Sequence, residues 1–393
     1  MTNNKHVPKR RFKGVELEGE WEEKRLTDFI ELYNGLTYSP NDVHKTGTLV
    51  LRSSNIQNGE IINADNVYVV PDKVTSENVR LGDIIVVVRN GSRSLIGKHA
   101  MVKEEMPNTV IGAFMSGMHS DHSSFVNALL DTPKFEKEIE KNMGATINQI
   151  TGAMFSKMDF KIPSEFEQDC IGKFFYSIDF LITLYQHKLD KLKNLKKAYL
   201  AELFPAEGER VPKRRFPGFE GEWEEKKLGE VVEKFDNLRI PVASKDRIAG
   251  NIPYYGANGI QDYVEGFTHD GEFVLLAEDG ANDLNDYPVQ YVNGKVWVNN
   301  HAHVIQGKNN LIDNKFLLFA IKQIQMEPYL VGGGRAKLNA EIMMNLPLTA
   351  PEISEQRMIG AFLMKVEKQI SLQQQKLNKL KDLKKAYLNE LFV

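Results

Sequence analysis

The stretch His187–Phe204, HKLDKLKNLKKAYLAELF, returns at Gln375–Phe392 as QKLNKLKDLKKAYLNELF, with fourteen of eighteen positions identical at an offset of 188. One chain therefore carries the same segment in its middle and again near its end. Ile171, Phe174, Ile178, Leu181 and Tyr185 step by three and four, and Leu189, Leu192, Leu195, Tyr199 and Leu203 extend the series. The second copy supplies Ile359, Phe362, Val366, Ile370, Leu377, Leu380, Leu383, Tyr387 and Leu391. Such a stripe over several heptads predicts a helix that packs on another helix. Roughly 38 residues at ~1.5 Å each make a rod of about 57 Å. The copy bearing the same stripe is the available partner. Equal length favours an antiparallel pair holding two bodies at opposite ends; the alternative is that each helix merely caps its own domain.

Further repeats lie outward from these helices. Pro8-Lys-Arg-Arg-Phe12 recurs as Pro212-Lys-Arg-Arg-Phe216, and Glu18-Gly-Glu-Trp-Glu-Glu-Lys-Arg-Leu26 as Glu220-Gly-Glu-Trp-Glu-Glu-Lys-Lys-Leu228. Before each helix, Glu167-Gln168…Ile171-Gly172 matches Glu355-Gln356…Ile359-Gly360. Each half thus runs from a basic lead-in through a tryptophan string and a body to a helix. The bodies hardly match. Strings such as GDIIVVVRNGSRSLIGKHAMV in the first, and GEFVLLAEDGAN and VWVNNHAHVI in the second, read as short strands broken by Gly, Asn and Asp turns. The fold expected is α+β, with two mostly-β bodies joined by an antiparallel pair of long coiled-coil helices in a pseudo-twofold, circular arrangement. Its segments are 1–20 (basic), 21–163 (first body), 164–204 (central helix), 205–222 (linker), 223–350 (second body) and 351–393 (terminal helix).

With 393 residues, 42% apolar and 26% charged, the composition is that of an ordinary soluble protein of two or three domains. No apolar run approaches the ~20 residues that span a bilayer, so no membrane partner is expected and the cytoplasm is the default. The lone Cys170 rules out a disulfide or a cysteine-built zinc cage within one chain. A net charge of −3 gives no global basic signal, so any nucleic-acid partner must be recognised through local charge.

Several motifs look catalytic and fail on their chemistry. Asn251-Ile-Pro-Tyr254 resembles the Asn-Pro-Pro-Tyr loop of amino-methyltransferases, but its second residue differs and no Gly-rich nucleotide turn precedes it. Gly91–Lys98 has five residues between its glycines, and His99 stands where a phosphate loop needs a hydroxyl. His301 and His303, with His269, could ligate a metal from one strand face, yet no carboxylate or cysteine partner is evident. Glu278 and Asp279 are adjacent, so in a strand they point to opposite faces. No catalytic residue and no metal site is expected.

Groove reading asks for Arg, Lys, Asn and Ser on exposed loops. The first body offers Arg52, Ser53 and Asn55, then Arg89, Asn90, Ser92, Arg93 and Lys98. The second offers Tyr254, Tyr255 and Asn258, then Asn299, Asn300 and His301, then Arg335 and Lys337. Any one such loop reads equally as a solvated hairpin tip; their recurrence in both bodies favours DNA. Lysines 188, 191, 193, 196 and 197, with 376, 379, 381, 384 and 385, read either as a solvated face or as one lining a DNA backbone or an acidic partner.

The doubled arrangement, with its G-E-W-E-E-K-[RK]-L strings, E-Q…I-G strings and KLK-LKKAYL-ELF helices, resembles the specificity subunit of type I restriction–modification systems. The resemblance covers essentially the whole chain. It implies two target-recognition domains that each read one half of an asymmetric bipartite site on double-stranded DNA, with the helix pair as the ruler of the spacer. It also implies two modification subunits that use S-adenosylmethionine to methylate adenine N6. Restriction subunits would add translocation and cleavage with ATP and Mg2+. The chain itself would bind no cofactor. Without the resemblance, a structural adaptor with two β binding modules is the competing reading.

Overall fold

The computed structural model describes residues 7–15, 19–143, 148–332 and 336–393. The chain is α+β and gathers into two compact units, Met1–Gln186 with Lys376–Val393, and His187–Gln375. The first unit joins two stretches of the chain and the second is one continuous stretch, and each takes in an end of both long helices. These helices, Glu165–Leu203 (central) and Ile353–Leu391 (terminal), are each 39 residues long. A proline precedes each start, and Phe204-Pro205 closes the first, since proline cannot continue a helix.

In the first unit the Phe174 ring meets Tyr387 at 4.9 Å and Phe175 meets Phe392 at 5.9 Å, while Lys384 Nζ lies 2.5 Å from Asp179 Oδ1. In the second unit Tyr199 meets Phe362 at 4.8 Å, and Lys196 pairs with Glu367. Within each unit the helices therefore run antiparallel. The inward stripe keeps Phe174, Tyr199, Phe362 and Tyr387 of the expected one and departs from it at three leucines. Ile171, Phe175, Ile178 and Leu189 are buried on the central helix, and Ile359, Leu363 and Leu377 on the terminal helix, whereas Leu181, Leu195 and Leu383 are 38%, 42% and 44% exposed. Phe175 and Leu363 join Phe174 and Phe362 inward, and Ile182, Lys196 and Lys384 take the places expected of Leu181, Leu195 and Leu383. Two lysines can stand there because the facing helix supplies a carboxylate to each, Glu367 and Asp179.

The repeated strings fasten each body to its helices. Glu22–Arg25 pairs antiparallel with Asp159–Ile162, and Glu224–Lys227 with Pro347–Ala350, so the first and last strands of each body zip together. The arginines of the basic lead-ins are held in ion pairs. Arg10 Nε lies 3.0 Å from Glu390 Oε2, and Arg11 Nε lies 3.2 Å from Glu167 Oε1. Their counterparts repeat this, Arg214 with Glu202 at 2.9 Å and Arg215 with Glu355 at 2.5 Å. Each Pro-Lys-Arg-Arg-Phe string is thus a clasp that ties the end of one long helix to the start of the other. Gly172 and Gly360 sit where a Cβ would fall 2.8 Å from Phe125 N and 2.7 Å from Phe316 N, so only glycine lets the helix approach that backbone.

The bodies on these frames differ. The first has an antiparallel sheet in the order 31–34, 115–119, 84–87, 99–101, and a second four-stranded sheet with one parallel pair, Thr109–Ile111 on Thr48–Leu51. The second has one six-stranded sheet in the order 232–234, 302–307, 269–277, 289–298, 249–256, 259–264. Each core includes its tryptophan, Trp21 or Trp223, and the phenylalanine closing a helix, Phe392 or Phe204.

Candidate nucleic-acid interface

In the first body the expected loops converge. Asn90 Nδ2 donates to Ser53 Oγ at 3.1 Å, and Asn90 Oδ1 accepts from Ser92 N at 3.0 Å. Asn148, which no sequence motif singles out, donates from Nδ2 to Gly91 O at 3.0 Å. Arg89 is exposed with its guanidinium 5.0 Å from the Phe114 ring centre, and Ser92 and Arg93 are exposed beside it. Lys98 is half-buried. Arg52 is engaged, donating to Asp65 O at 2.6 Å and Oδ2 at 2.7 Å. Asn55 cannot reach a base. It is fully buried, and its amide donates to Ala64 O at 2.7 Å while its Oδ1 accepts from Arg52 N at 2.9 Å. It shapes the loop from inside.

The second body gathers its stretches around Glu278–Asn282. Asn258 Nδ2 donates to Gly280 O at 2.8 Å, and Asn258 Oδ1 accepts from Asn282 N at 3.0 Å. His301 Nδ1 lies 2.6 Å from Asp279 Oδ1, and Lys337 Nζ 2.9 Å from Glu278 Oε1. Asn300 is exposed. Tyr254 and Asn299 are buried, which removes both from a contact surface. Asn251–Tyr254 lies in a strand, and the Tyr254 hydroxyl exchanges hydrogen bonds with Val242. Asn299 Oδ1 accepts from His301 N at 2.8 Å to close the turn. Tyr255 is half-buried, and burial raises its phenol pKa. Arg335 lies outside the described residues. On the helices, Lys196 and Lys384 are taken by their ion pairs, while the other eight lysines named above are exposed.

Glu278 and Asp279 serve as the hub of this cluster. Their side chains diverge, Asp279 to His301 and Glu278 to Arg239 at 2.7 Å as well as Lys337. Beneath them His303 Nδ1 lies 2.7 Å from Asp236 Oδ2, and its Nε2 2.8 Å from Leu338 O. Among the described residues, no group of three His, Cys, Asp or Glu side chains is arranged to hold a metal ion. Burial alone would raise the Glu278 and Asp236 carboxyls. Arg239 and Lys337 for Glu278, and His303 and the Val304 amide for Asp236, outweigh it and hold both below the usual carboxylate range. Stability from depressed carboxyls is present above their unfolded pKa of ~4 and lost as pH falls through the folded values. Glu278→Gln is therefore expected to cost on the order of 2 kcal/mol at neutral pH and to flatten the acid limb of a urea-midpoint-versus-pH curve. An unchanged acid limb would remove Glu278 from this role.

The model of the type I restriction modification DNA specificity domain matches residues 18–194 and again 220–382, well over half of the chain. The chain belongs to that family. It is 49% identical over 146 residues to S.HindORF215P of Haemophilus influenzae, which is named as a type I restriction enzyme specificity subunit. That match covers 37% of this chain and 37% of the relative. It is also 27% identical over 164 residues to the EcoKI specificity subunit of Escherichia coli, covering 39% of this chain and 35% of the relative. These alignments thus span little more than a third of the curated relatives' own length. The fold matches the crystal structure of the S subunit of a type I restriction–modification system from M. genitalium, with a TM-score of 0.73 at 16% identity over 98% of this chain and 99% of that one. Among the described residues no helix is long and apolar enough to cross a membrane.

Proposed function

We propose that this chain is the non-catalytic address of a type I restriction–modification complex. Each body reads one half of an asymmetric bipartite site on duplex DNA, and the helix pair sets the spacer between the halves. Its partners are two modification subunits that methylate adenine N6 with S-adenosylmethionine, and restriction subunits that use ATP and Mg2+. The observation that carries this reading is the contrast between repeated frames and unlike loop clusters. The clasp arginines, the Glu-Gln and Ile-Gly strings and the closing phenylalanines do the same structural work twice, while the loop clusters differ in charge: the first presents a guanidinium on an aromatic ring, the second a pair of carboxylates holding Arg239, His301 and Lys337.

Sequencing of native DNA for adenine methylation, with and without this gene, tests the reading. Loss of one bipartite, spaced motif is the expected result. Replacing residues 223–350 with another body is expected to change one half of that motif and leave the other half and the spacer intact. A swap that altered both halves would sink the modular reading. An unchanged methylome in cells with active modification subunits would favour an adaptor instead.

A further inference from the structure

Among the described residues, the loops of the first body hold an arginine whose hydrogen-bonding fork lies against a ring and is unspent. Arg52 gives its fork to Asp65, and Arg10, Arg11, Arg214 and Arg215 are clasped to glutamates. Arg89 is different. Among the described residues no carboxylate or carbonyl accepts from its guanidinium, which lies against the Phe114 ring at 5.0 Å. Phe114 is itself 54% exposed, so the ring and the guanidinium are both open to a ligand.

The backbone beneath this pair is rigid. Arg89 follows strand Ile84–Val87, and Phe114 precedes strand Met115–His119; the two strands are neighbours in the middle of one sheet. Val88 N and Arg89 N both donate to Phe114 O, at 3.0 and 3.2 Å. On the other flank Ile150 N donates to Val88 O at 2.9 Å, and Arg89 forms a bridge with Gln149. The following turn is pinned by Asn90 to Ser53 and by Asn148 to Gly91. A planar guanidinium laid on an aromatic face loses little further rotamer freedom when it binds, and its outer N–H groups keep the spacing that matches the O6 and N7 acceptors of guanine.

We propose that Arg89, braced on the exposed ring of Phe114, reads a guanine through the major groove in the half-site addressed by the first body, with Phe114 as its positioning residue. This deepens the DNA-reading assignment above and rests on it. A phosphate contact would not need the brace, because a point charge on a mobile stem suffices there. A base contact does, because both hydrogen bonds must be met at once.

The test uses the full-length chain expressed with its modification subunits, read out as the methylated motif in cellular DNA. Arg89→Ala is expected to widen one position, in one half-site only, with the preference for guanine there falling about tenfold to a hundredfold. Arg89→Lys is expected to widen the same position, since a single ammonium cannot fork. Phe114→Ala should give a smaller widening at that position, and Phe114→Tyr should restore it. Retention of the other half-site and of the spacer reports that the variants fold. Uniformly weaker methylation with an unchanged motif would overturn the proposal in favour of a phosphate contact. Widening at a different position for Phe114→Ala than for Arg89→Ala would also overturn it. A wild-type chain that directs no bipartite methylation would defeat the underlying reading itself, an outcome visible before any variant is made.

Discussion

Arg215→Ala is expected to cost the second unit about 3–5 kcal/mol, because it strands a buried carboxylate. Glu355 is fully buried and gives both oxygens to Arg215, with Nε to Oε1 at 2.9 Å and Nη2 to Oε2 at 2.5 Å. The same guanidinium donates from Nη1 to Gly221 O at 2.6 Å, so it also holds the tryptophan string against the helix start. Glu355's hydrogen bond raises the Arg215 pKa further, so neutralising the arginine is no escape. Removing it leaves Glu355 neither solvent nor partner. A double change, Arg215→Met with Glu355→Leu, is expected to recover most of the loss, since an apolar pair of similar volume avoids the uncompensated charge. Urea unfolding followed by tryptophan fluorescence measures both. A loss below about 1 kcal/mol for Arg215→Ala would show that water reaches Glu355 and that the clasp contributes little.

The mirror pair divides its bonds differently, which shows how far the internal symmetry extends. Glu167 serves both Arg11, at 3.2 Å, and Trp21 Nε1, at 3.1 Å. Glu355 is wholly given to Arg215, and Trp223 Nε1 has no acceptor among the described residues. The repeat preserves which elements meet rather than each hydrogen bond.

The helices and their doubling were legible in the sequence because an apolar stripe kept up over several heptads has the period of a helix and not of a strand. The phase of that stripe was not. Ile171, Ile178, Tyr185, Leu192 and Tyr199 are seven apart and lie inward in either phase, but the positions between them turned on Leu195 against Lys196 and Leu383 against Lys384. Hydrophobicity favours the leucines; the structure places the lysines inward, because Glu367 and Asp179 wait on the facing helix. A charge pair across an interface carries no local signature. The clasps of the lead-in arginines carry no local signature either, since their glutamates lie as far away in sequence as Glu390 from Arg10. Among the loop residues, sequence separated polar from apolar but not inward from outward. Asn55 is polar and buried because the turn at 52–55 needs its side chain as a backbone substitute. Phe114 is apolar and exposed, so polarity alone does not mark it as part of a reading surface.

Phe392→Ala is expected to destabilise the first unit by ~3–5 kcal/mol, the range for removing a large aromatic from a core. Its ring stacks on Phe125 at 5.5 Å and meets Trp21 edge-on at 6.2 Å and Phe175 at 5.9 Å. Those partners belong to three separate stretches: the tryptophan string, the helix Ser123–Leu130 and the central helix. The ring therefore bolts together parts of one unit that are hundreds of residues away along the chain, and no neighbour in sequence can fill its place. Phe204 has the corresponding position in the second unit, stacked on Phe316 at 5.5 Å and 5.7 Å from Trp223. Hydrogen exchange on the two variants separates a local role from a general one. Phe392→Ala should lower protection in the sheet built on 31–34 and 115–119, and Phe204→Ala in the sheet built on 269–277 and 289–298. If either variant loosened both sheets equally, the two cores would unfold as one cooperative block, and bodies exchanged as modules would then be expected to disturb one another.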